Sequence, residues 1–375
     1  MHTNPEKKAS VVHFANSDWF FFNFCQPLLR HQQKAGWRIA LVCPDGPYVE
    51  RLRGQGWECF TVPLNRHGVK PIVEARTLLG VRALLRQLRP SVLHNHTLKC
   101  VLYGTIAAAG LPCRVVNAVN GFGYLYRANG FGPSMTRGVF HFFAAAFFPR
   151  SNVRFIFMNP GDREVFEEKG YVAAGNGQVI PSPGVDTERF SYSDEEPGIP
   201  VAMLPARMLW SKGVADFVAA AGLLKARGVA GRFVLVGDVD PGDSESIPPE
   251  ILSGWVAEGI VEWWGRRFDM PNVLSLASVV CLPSYGEGSP MSLIEGAACG
   301  RALVGSDIPG CRLVIRNGEN GLIVPVANAG KLADALAGLL QDGDERKRMG
   351  KRGRKIAQDE FSVGTINQRT LDVYG

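Results

Sequence analysis

The chain has 375 residues, 46% of them hydrophobic and 20% charged, with a formal net charge of +6. That length favours two domains over a single core, and that composition excludes a disordered chain. No stretch reaches the roughly 18 consecutive apolar residues needed to cross a bilayer.

The first residues, MHTNPEKKASVVHF, carry charge but lead straight into a strand-like run with no small-residue cleavage site, which argues against a secretory signal. Short apolar runs then recur with helix-like stretches between them: VVHFA (11–15), RIALVCP (38–44), SVLHNH (91–96), RVVNAVNG (114–121) and VRFIFMN (153–159). The block 124–154 mixes Arg127, Arg137, Arg150 and Arg154 with many Phe and Tyr. It suits either an anionic membrane surface, with rings in lipid and cations on headgroups, or a core helix with exposed arginines. The Pro/Gly-rich stretch IPSPGVDTERFSYSDEEPGIP (180–200) reads as a linker. The pattern then restarts with VAMLPAR (201–207), RFVLVGD (232–238), IVEWWG (260–265), SVVCLPS (278–284) and RALVGSD (301–307). Near-continuous apolar strands alternating with helices predict parallel sheets covered on both faces, so each half reads as a doubly wound α/β domain.

Residues 1–190 hold 22 Lys and Arg against 12 Asp and Glu, while the remainder holds 19 against 23. A basic half suits nucleic acid, anionic lipid or a phosphorylated substrate. No helix-turn-helix, zinc finger or aromatic RNA-binding signature accompanies it, so nucleic acid is not expected as a partner. The eight cysteines show no CxxC pair and no zinc spacing, and read as buried free thiols of a reducing cytosol.

In sheets of this kind ligands bind beyond the carboxyl ends of the strands. The loop after SVVCLPS opens YGEGSPMSLIEGAACG (285–300), where Ser289 reads as an N-cap, Pro290 as the first helical residue and Gly300 as the stop. Glu287 then lies in the loop beside free backbone N–H groups, and Glu295 more than a turn inside the helix. The two would touch different parts of one extended ligand. Glu287, between glycines, suits a hydroxyl, and Glu295 suits a diol such as a ribose. In LPARMLWSKGVADF (204–217), Arg207 closes a strand and Lys212 precedes a helix that starts near Gly213. Two cations at a strand end and a helix N-terminus make an anion site. Charge-assisted hydrogen bonds of about 1.5–3 kcal/mol each would hold a diphosphate without metal. Together these residues read as a nucleotide-sugar site. His94 and His96 alternate in or after a strand; two histidines without a third ligand in sight are poor evidence for zinc, and an acceptor-facing or structural role is expected. A dehydrogenase would need Gly-x-Gly-x-x-Gly after the first strand, which VVHFANSDWFF lacks.

Arg207 and Lys212 in ARMLWSKG, the Glu-x7-Glu of EGSPMSLIE, PSPGVD and NGENGLIVP closely resemble the retaining glycosyltransferases of family 4. These have the α/β GT-B fold, two doubly wound Rossmann-like domains facing across a cleft. The resemblance runs from about residue 10 to the end and is strongest over 153–326. Within the family the chain looks most like bacterial enzymes that extend undecaprenyl-diphosphate-linked oligosaccharides. The resemblance implies an acceptor-side domain at 1–185, a nucleotide-sugar-binding domain at 186–358 and a closing helix at 359–375 that returns to the first domain. It implies a UDP-sugar donor, no metal or other cofactor, and a polyprenyl-diphosphate saccharide acceptor. It also implies a peripheral place on the anionic inner face of the plasma membrane.

By the same resemblance Glu287 contacts the donor sugar, with backbone N–H groups of Gly288, Ser289, Met291 and Ser292, and Glu295 holds the ribose. Arg207 and Lys212 stabilise the diphosphate as charge builds on it. Asn16 and Ser17 approach the phosphates, and Arg267 in GRRFDM lies near the nucleobase. Asn120 and His96 fall on the acceptor or sugar side. Configuration is retained through an oxocarbenium-like state, the leaving diphosphate takes the acceptor proton, and no protein nucleophile is needed. Three departures stand out. Asn120 replaces a histidine common in the family and, being unable to titrate, cannot serve as a general base. FANSDWF lacks the usual paired glycines, and Leu313 stands where a glutamate is common. Asp238-x-Asp240 in GDVDPGD resembles the metal motif of other glycosyltransferases but reads as a polar loop away from the phosphate cations. A nucleotide-sugar epimerase, a non-catalytic binding module, or a family 4 transferase with a soluble or other lipid acceptor are the competing readings.

Overall fold

Each of the ten apolar runs becomes a parallel strand. The computed structural model describes residues 9–65, 71–119, 131–173, 175–181 and 183–375. Strands β1 (Ser10–Phe14), β2 (Arg38–Cys43), β3 (Glu58–Thr61), β4 (Val92–His96), β5 (Arg114–Val119), β6 (Val153–Phe157) and β7 (Gly177–Val179) form one sheet. Its order is β3-β2-β1-β4-β5-β6-β7. Strands β8 (Val201–Pro205), β9 (Arg232–Val236), β10 (Glu262–Trp263), β11 (Val279–Leu282), β12 (Ala302–Ser306) and β13 (Gly321–Val324) form a second. Its order is β10-β9-β8-β11-β12-β13. Every pairing is parallel. The chain divides into two compact units, Met1–Pro183 with Ile366–Gly375, and Gly184–Thr365.

Both sheets are wound in two directions from their middle, with the strand order reversing between β1 and β4 in the first unit and between β8 and β11 in the second. At such a reversal the connections leave toward opposite faces and open a crevice above the carboxyl ends, where ligands of this fold class bind. In the second unit β11 pairs with β8 only through Val279–Ala202 and Val280–Met203, and the chain ends beyond that short ladder carry the loops of interest.

The period-two pleat sends alternate residues to opposite faces, and both faces are buried, hence the near-continuous apolar runs. In the second unit Ala202, Leu204, Phe233 and Leu235 face a core shared with the helices Val214–Ala226 and Ala329–Gln341. Val201, Met203, Val234 and Val236 face another, covered by the helices Met291–Ala298 and Gly343–Glu360. Fully burying a Phe such as Phe217 or Phe233 stabilises by about 1.5–3 kcal/mol. In the first unit Val12 and Phe14 point to one core. Val11 and Ala15 point to the other, which takes in Leu29 and, from the closing helix Val363–Tyr374, Ile366, Val373 and Tyr374. All eight cysteines are buried and free. Among the described residues no helix is long and apolar enough to cross a membrane.

Candidate functional site

The residues singled out after β8 and β11 meet at the reversal of the second sheet. The segment after β8 runs through a short 3-10 turn, Trp210–Lys212, and enters the helix Val214–Ala226 by way of Gly213 at φ +70°. A Cβ on Gly213 would lie 2.0 Å from the Pro283 carbonyl oxygen, so only glycine lets this turn sit against the segment after β11. The two segments are tied directly. The Ser211 carbonyl accepts from Tyr285 N at 2.9 Å and from Ser284 Oγ at 3.0 Å. The Tyr285 hydroxyl donates to Asp216 Oδ2 at 2.8 Å.

These ties bring Lys212 Nζ to 2.6 Å from Glu287 Oε1, with the two side chains 22% and 10% exposed. From the other side, the Glu287 backbone is backed by Gly310, where a Cβ would stand 2.5 Å from the Glu287 carbonyl oxygen. A cation and a carboxylate 75 positions apart in the chain are thus fixed side by side. Such a pair offers one positive and one negative anchor to a ligand that carries phosphate next to hydroxyls.

The helix after this loop is Met291–Ala298, and its N-cap is Pro290, with ψ at 89°. Ser289 is therefore one position too early to cap it, contrary to the sequence expectation, and its buried Oγ has no partner. The first N–H groups of the helix, including those of Met291 and Ser292, receive no side-chain cap. An uncapped helix N-terminus with an unpartnered hydroxyl beside it is a place for an anion. Gly300, at φ +74°, follows the helix end as expected.

Arg207 pairs with carboxylates other than Lys212's partner. Its Nη1 lies 2.7 Å from Asp240 Oδ2 and 3.4 Å from Asp243 Oδ2. The expectation that GDVDPGD lies away from the phosphate cations is thereby corrected: the carboxylate of Asp240 neutralises one of them. The Arg207 side chain is 56% exposed, and an exposed ion pair contributes only about 0–1 kcal/mol, so a diphosphate can compete for the guanidinium. Arg267 forms a bidentate surface pair with Asp269 at 2.8–2.9 Å.

Glu295 lies on the same helix, partly buried. Burial pushes its carboxyl up from 4.5 to about 7, with Arg189 opposing part of the rise. Below about pH 4.5 the group is protonated in the folded and unfolded chain alike. Between 4.5 and 7 the folded chain keeps a proton that the unfolded chain releases, so stability is lost as pH rises through that window. The loss reaches at most roughly 3 kcal/mol. In Glu295→Gln this slope disappears: melting temperature followed from pH 5 to 8 falls in the wild type and stays level in the variant. Parallel curves would place the titration elsewhere.

In the first unit Asn16 and Ser17 follow β1, and Ser17 Oγ caps the next turn by accepting from Phe20 N at 3.2 Å. His96 ends β4, its imidazole 2.9 Å from His13. His94 lies beside them, and burial holds all three neutral, His13 down to about 4. His13 supplies the third histidine that the SVLHNH run lacked, and sequence spacing gave no hint of it beyond its place in the strand VVHFA. Thr97, which no motif marked, takes φ +73° at the end of β4, a conformation costing about 1–3 kcal/mol that is concentrated at functional sites. Asn120, Arg127 and the Arg137 side chain lie outside the described residues.

Two family models match the chain: Glycosyl transferase 4-like over residues 10–144 and Glycosyl transferases group 1 over residues 199–342. Among curated relatives, the N,N'-diacetylbacillosaminyl-diphospho-undecaprenol alpha-1,3-N-acetylgalactosaminyltransferase of Campylobacter jejuni is 29% identical over 94% of this chain and 95% of its own length. The UDP-Gal:alpha-D-GlcNAc-diphosphoundecaprenol alpha-1,3-galactosyltransferase of Escherichia coli is 26% identical over 81% of this chain and 80% of its own. Among solved structures, sucrose-phosphate synthase from Thermosynechococcus elongatus superposes with a TM-score of 0.79 at 18% identity, covering 98% of both chains. The fold they share is GT-B.

Proposed function

We propose that this chain, which belongs to the glycosyltransferases of the group 1 and 4-like type, moves a sugar from a UDP-sugar to a saccharide carried on a polyprenyl diphosphate. The observation that carries the donor half is the Lys212–Glu287 pair beside an uncapped helix N-terminus at the sheet reversal. The acceptor half is supported by the Campylobacter jejuni and Escherichia coli relatives, whose names specify undecaprenyl-diphosphate-linked saccharides.

In this reading Lys212, Arg207 and the N–H groups of Met291 and Ser292 hold the diphosphate, with Gly288 and Ser289 lining its approach. As the bond to the sugar breaks, negative charge grows on the diphosphate, and donors already in place stabilise it without reorganising. Glu287 faces the sugar, which becomes oxocarbenium-like and gains positive charge. The acceptor hydroxyl loses its proton to the departing diphosphate, so configuration is retained and no side chain serves as nucleophile. Glu295 accepts from the ribose hydroxyls, Arg267 lies toward the base, and Asn16 and Ser17 serve the phosphates. Asn120 belongs to the sugar or acceptor side, whereas the imidazole of His96, expected there from the sequence, is buried against His13 and does not face a saccharide. Two cations and a helix N-terminus supply the charge that a metal supplies in other transferases, so this transfer runs without one.

A membrane-borne acceptor calls for a surface that rests on lipid. On the helix Phe131–Phe147, Val139 and Phe142 are exposed, Phe142 at 71%, and the Arg150 guanidinium lies 4.6 Å from the Phe147 ring centre. An exposed ring on a helix that is followed by an arginine suits an anionic interface.

The test is one titration with two arms. UDP is added to the protein in EDTA, with GDP and ADP as controls, and UDP-sugars are then assayed with lipid-diphosphate saccharides in anionic vesicles. UDP binding in EDTA and transfer only with both substrates are expected. Conversion of donor without acceptor would make the chain an epimerase, and binding that needs a divalent ion would overturn the metal-free site.

A further inference from the structure

In the first unit His13 and His94 are register partners on adjacent strands, and His96 follows two residues on. The pleat therefore projects all three imidazoles from one sheet face. None is more than 4% exposed. One ligand nitrogen from each lies within 4.8 Å of the other two, and His13 Nδ1 and His96 Nε2 are 2.9 Å apart. Two nitrogens bound to one tetrahedral Zn2+ at about 2.0–2.1 Å stand roughly 3.3 Å from each other, so the cluster is close to the size of one ion.

The surroundings have the form that metal-ligating histidines need, in which the second ring nitrogen is held by an outer polar group. His13 Nε2 lies 2.8 Å from Gln32 Oε1. A carbonyl oxygen only accepts, so Nε2 carries the proton and Nδ1 presents its lone pair to the cluster. His94 Nδ1 lies 2.6 Å from the Tyr374 hydroxyl, which also receives Gln32 Nε2 at 2.8 Å. His94 Nε2 is buried and has no partner. In one tautomer a lone pair is stranded there and in the other a proton, and the apolar shell of Val11, Val92, Val116 and Ala118 satisfies neither. A cation among the three rings does.

We propose that His13, His94 and His96 are the ligands of a buried Zn2+ site in the first unit, with Gln32 and Tyr374 as its outer partners. The site pins the closing helix Val363–Tyr374, through Tyr374, to β4 and to the helix Gln26–Lys34. Tyr374, 2.6 Å from His94 Nδ1, fixes the orientation of that ring toward the ion. This site is separate from the Lys212–Glu287 pair, and the inference stands or falls without the transferase reading.

The experiment uses the whole chain, purified without a polyhistidine tag and dialysed against EDTA to remove loosely held metal. Plasma mass spectrometry is expected to find about one Zn2+ per chain, since a buried site forms with the fold. Protein made in cobalt-supplemented medium is expected to show the ligand-field absorption of tetrahedral Co2+. His94→Asn loses both metal and absorption. Tyr374→Phe keeps the absorption but yields its metal to a competing chelator at an affinity lower by on the order of 10–100-fold. Wild-type protein without metal and without Co2+ bands overturns the proposal, whether or not the histidine variant folds. So does a folded His94→Asn variant that keeps the bands, because its ion is bound elsewhere.

Discussion

Glu287→Gln lowers the rate of sugar transfer by on the order of 10²–10³-fold, the scale of losing one preorganised electrostatic group, and leaves UDP affinity nearly unchanged. The substitution keeps the shape of the side chain and removes its charge. The sugar is close to neutral in the bound donor and positive in the transition state, so the carboxylate matters mainly at the top of the barrier. A group that acts there changes kcat and leaves ground-state binding alone. UDP lacks the transferred sugar, so it does not meet Glu287 on that side. Lys212, 2.6 Å away, keeps its charge for the diphosphate and loses a competitor. Calorimetry with UDP and initial rates with the full donor separate the two quantities. Equal losses in both would move Glu287 from the sugar to the nucleotide and sink its assigned role.

How legible this arrangement was in the sequence can be judged strand by strand. The ten apolar runs were strands of the two sheets, and the three strands without such a run, β3, β7 and β13, are all edges. An edge strand is covered less completely, so β3 reads ECFT and β7 reads GQV, patterns too short and too polar for periodicity to find. The chemical types at the site were legible because loop, proline and glycine signals placed Arg207, Lys212 and Glu287 just after strands. Their pairing was not. Lys212 finds Glu287 and Arg207 finds Asp240 through the strand order, a long-range property that local spacing does not carry. The same holds for His13, which comes beside His94 only because β1 and β4 are neighbours. The N-cap misassignment is local: a Ser-Pro pair ahead of a helix fits two registers, and Pro290 took the extended one.

Lys212→Ala weakens UDP binding by on the order of 10–100-fold, the equivalent of one charge-assisted hydrogen bond of about 1.5–3 kcal/mol. Transfer falls further than binding, because the diphosphate carries more charge in the transition state than in the bound donor. The alanine also leaves the Glu287 carboxylate, 10% exposed, facing an arriving diphosphate with no cation between them. Part of the lost affinity is therefore repulsion, and it is recoverable. The double variant Lys212→Ala/Glu287→Gln binds UDP more tightly than Lys212→Ala alone, while its transfer stays as low as that of the worse single variant. Residues in contact are expected to couple by about 0.5–3 kcal/mol in such a cycle, and calorimetry resolves that range. Arg207→Ala serves as the comparison: its guanidinium is 56% exposed and already shared with Asp240 and Asp243, so its loss is smaller and more sensitive to salt. Unchanged UDP affinity in Lys212→Ala would remove the diphosphate from this crevice. Strict additivity in the cycle would mean that the pair, though adjacent, does not act on the ligand as one unit.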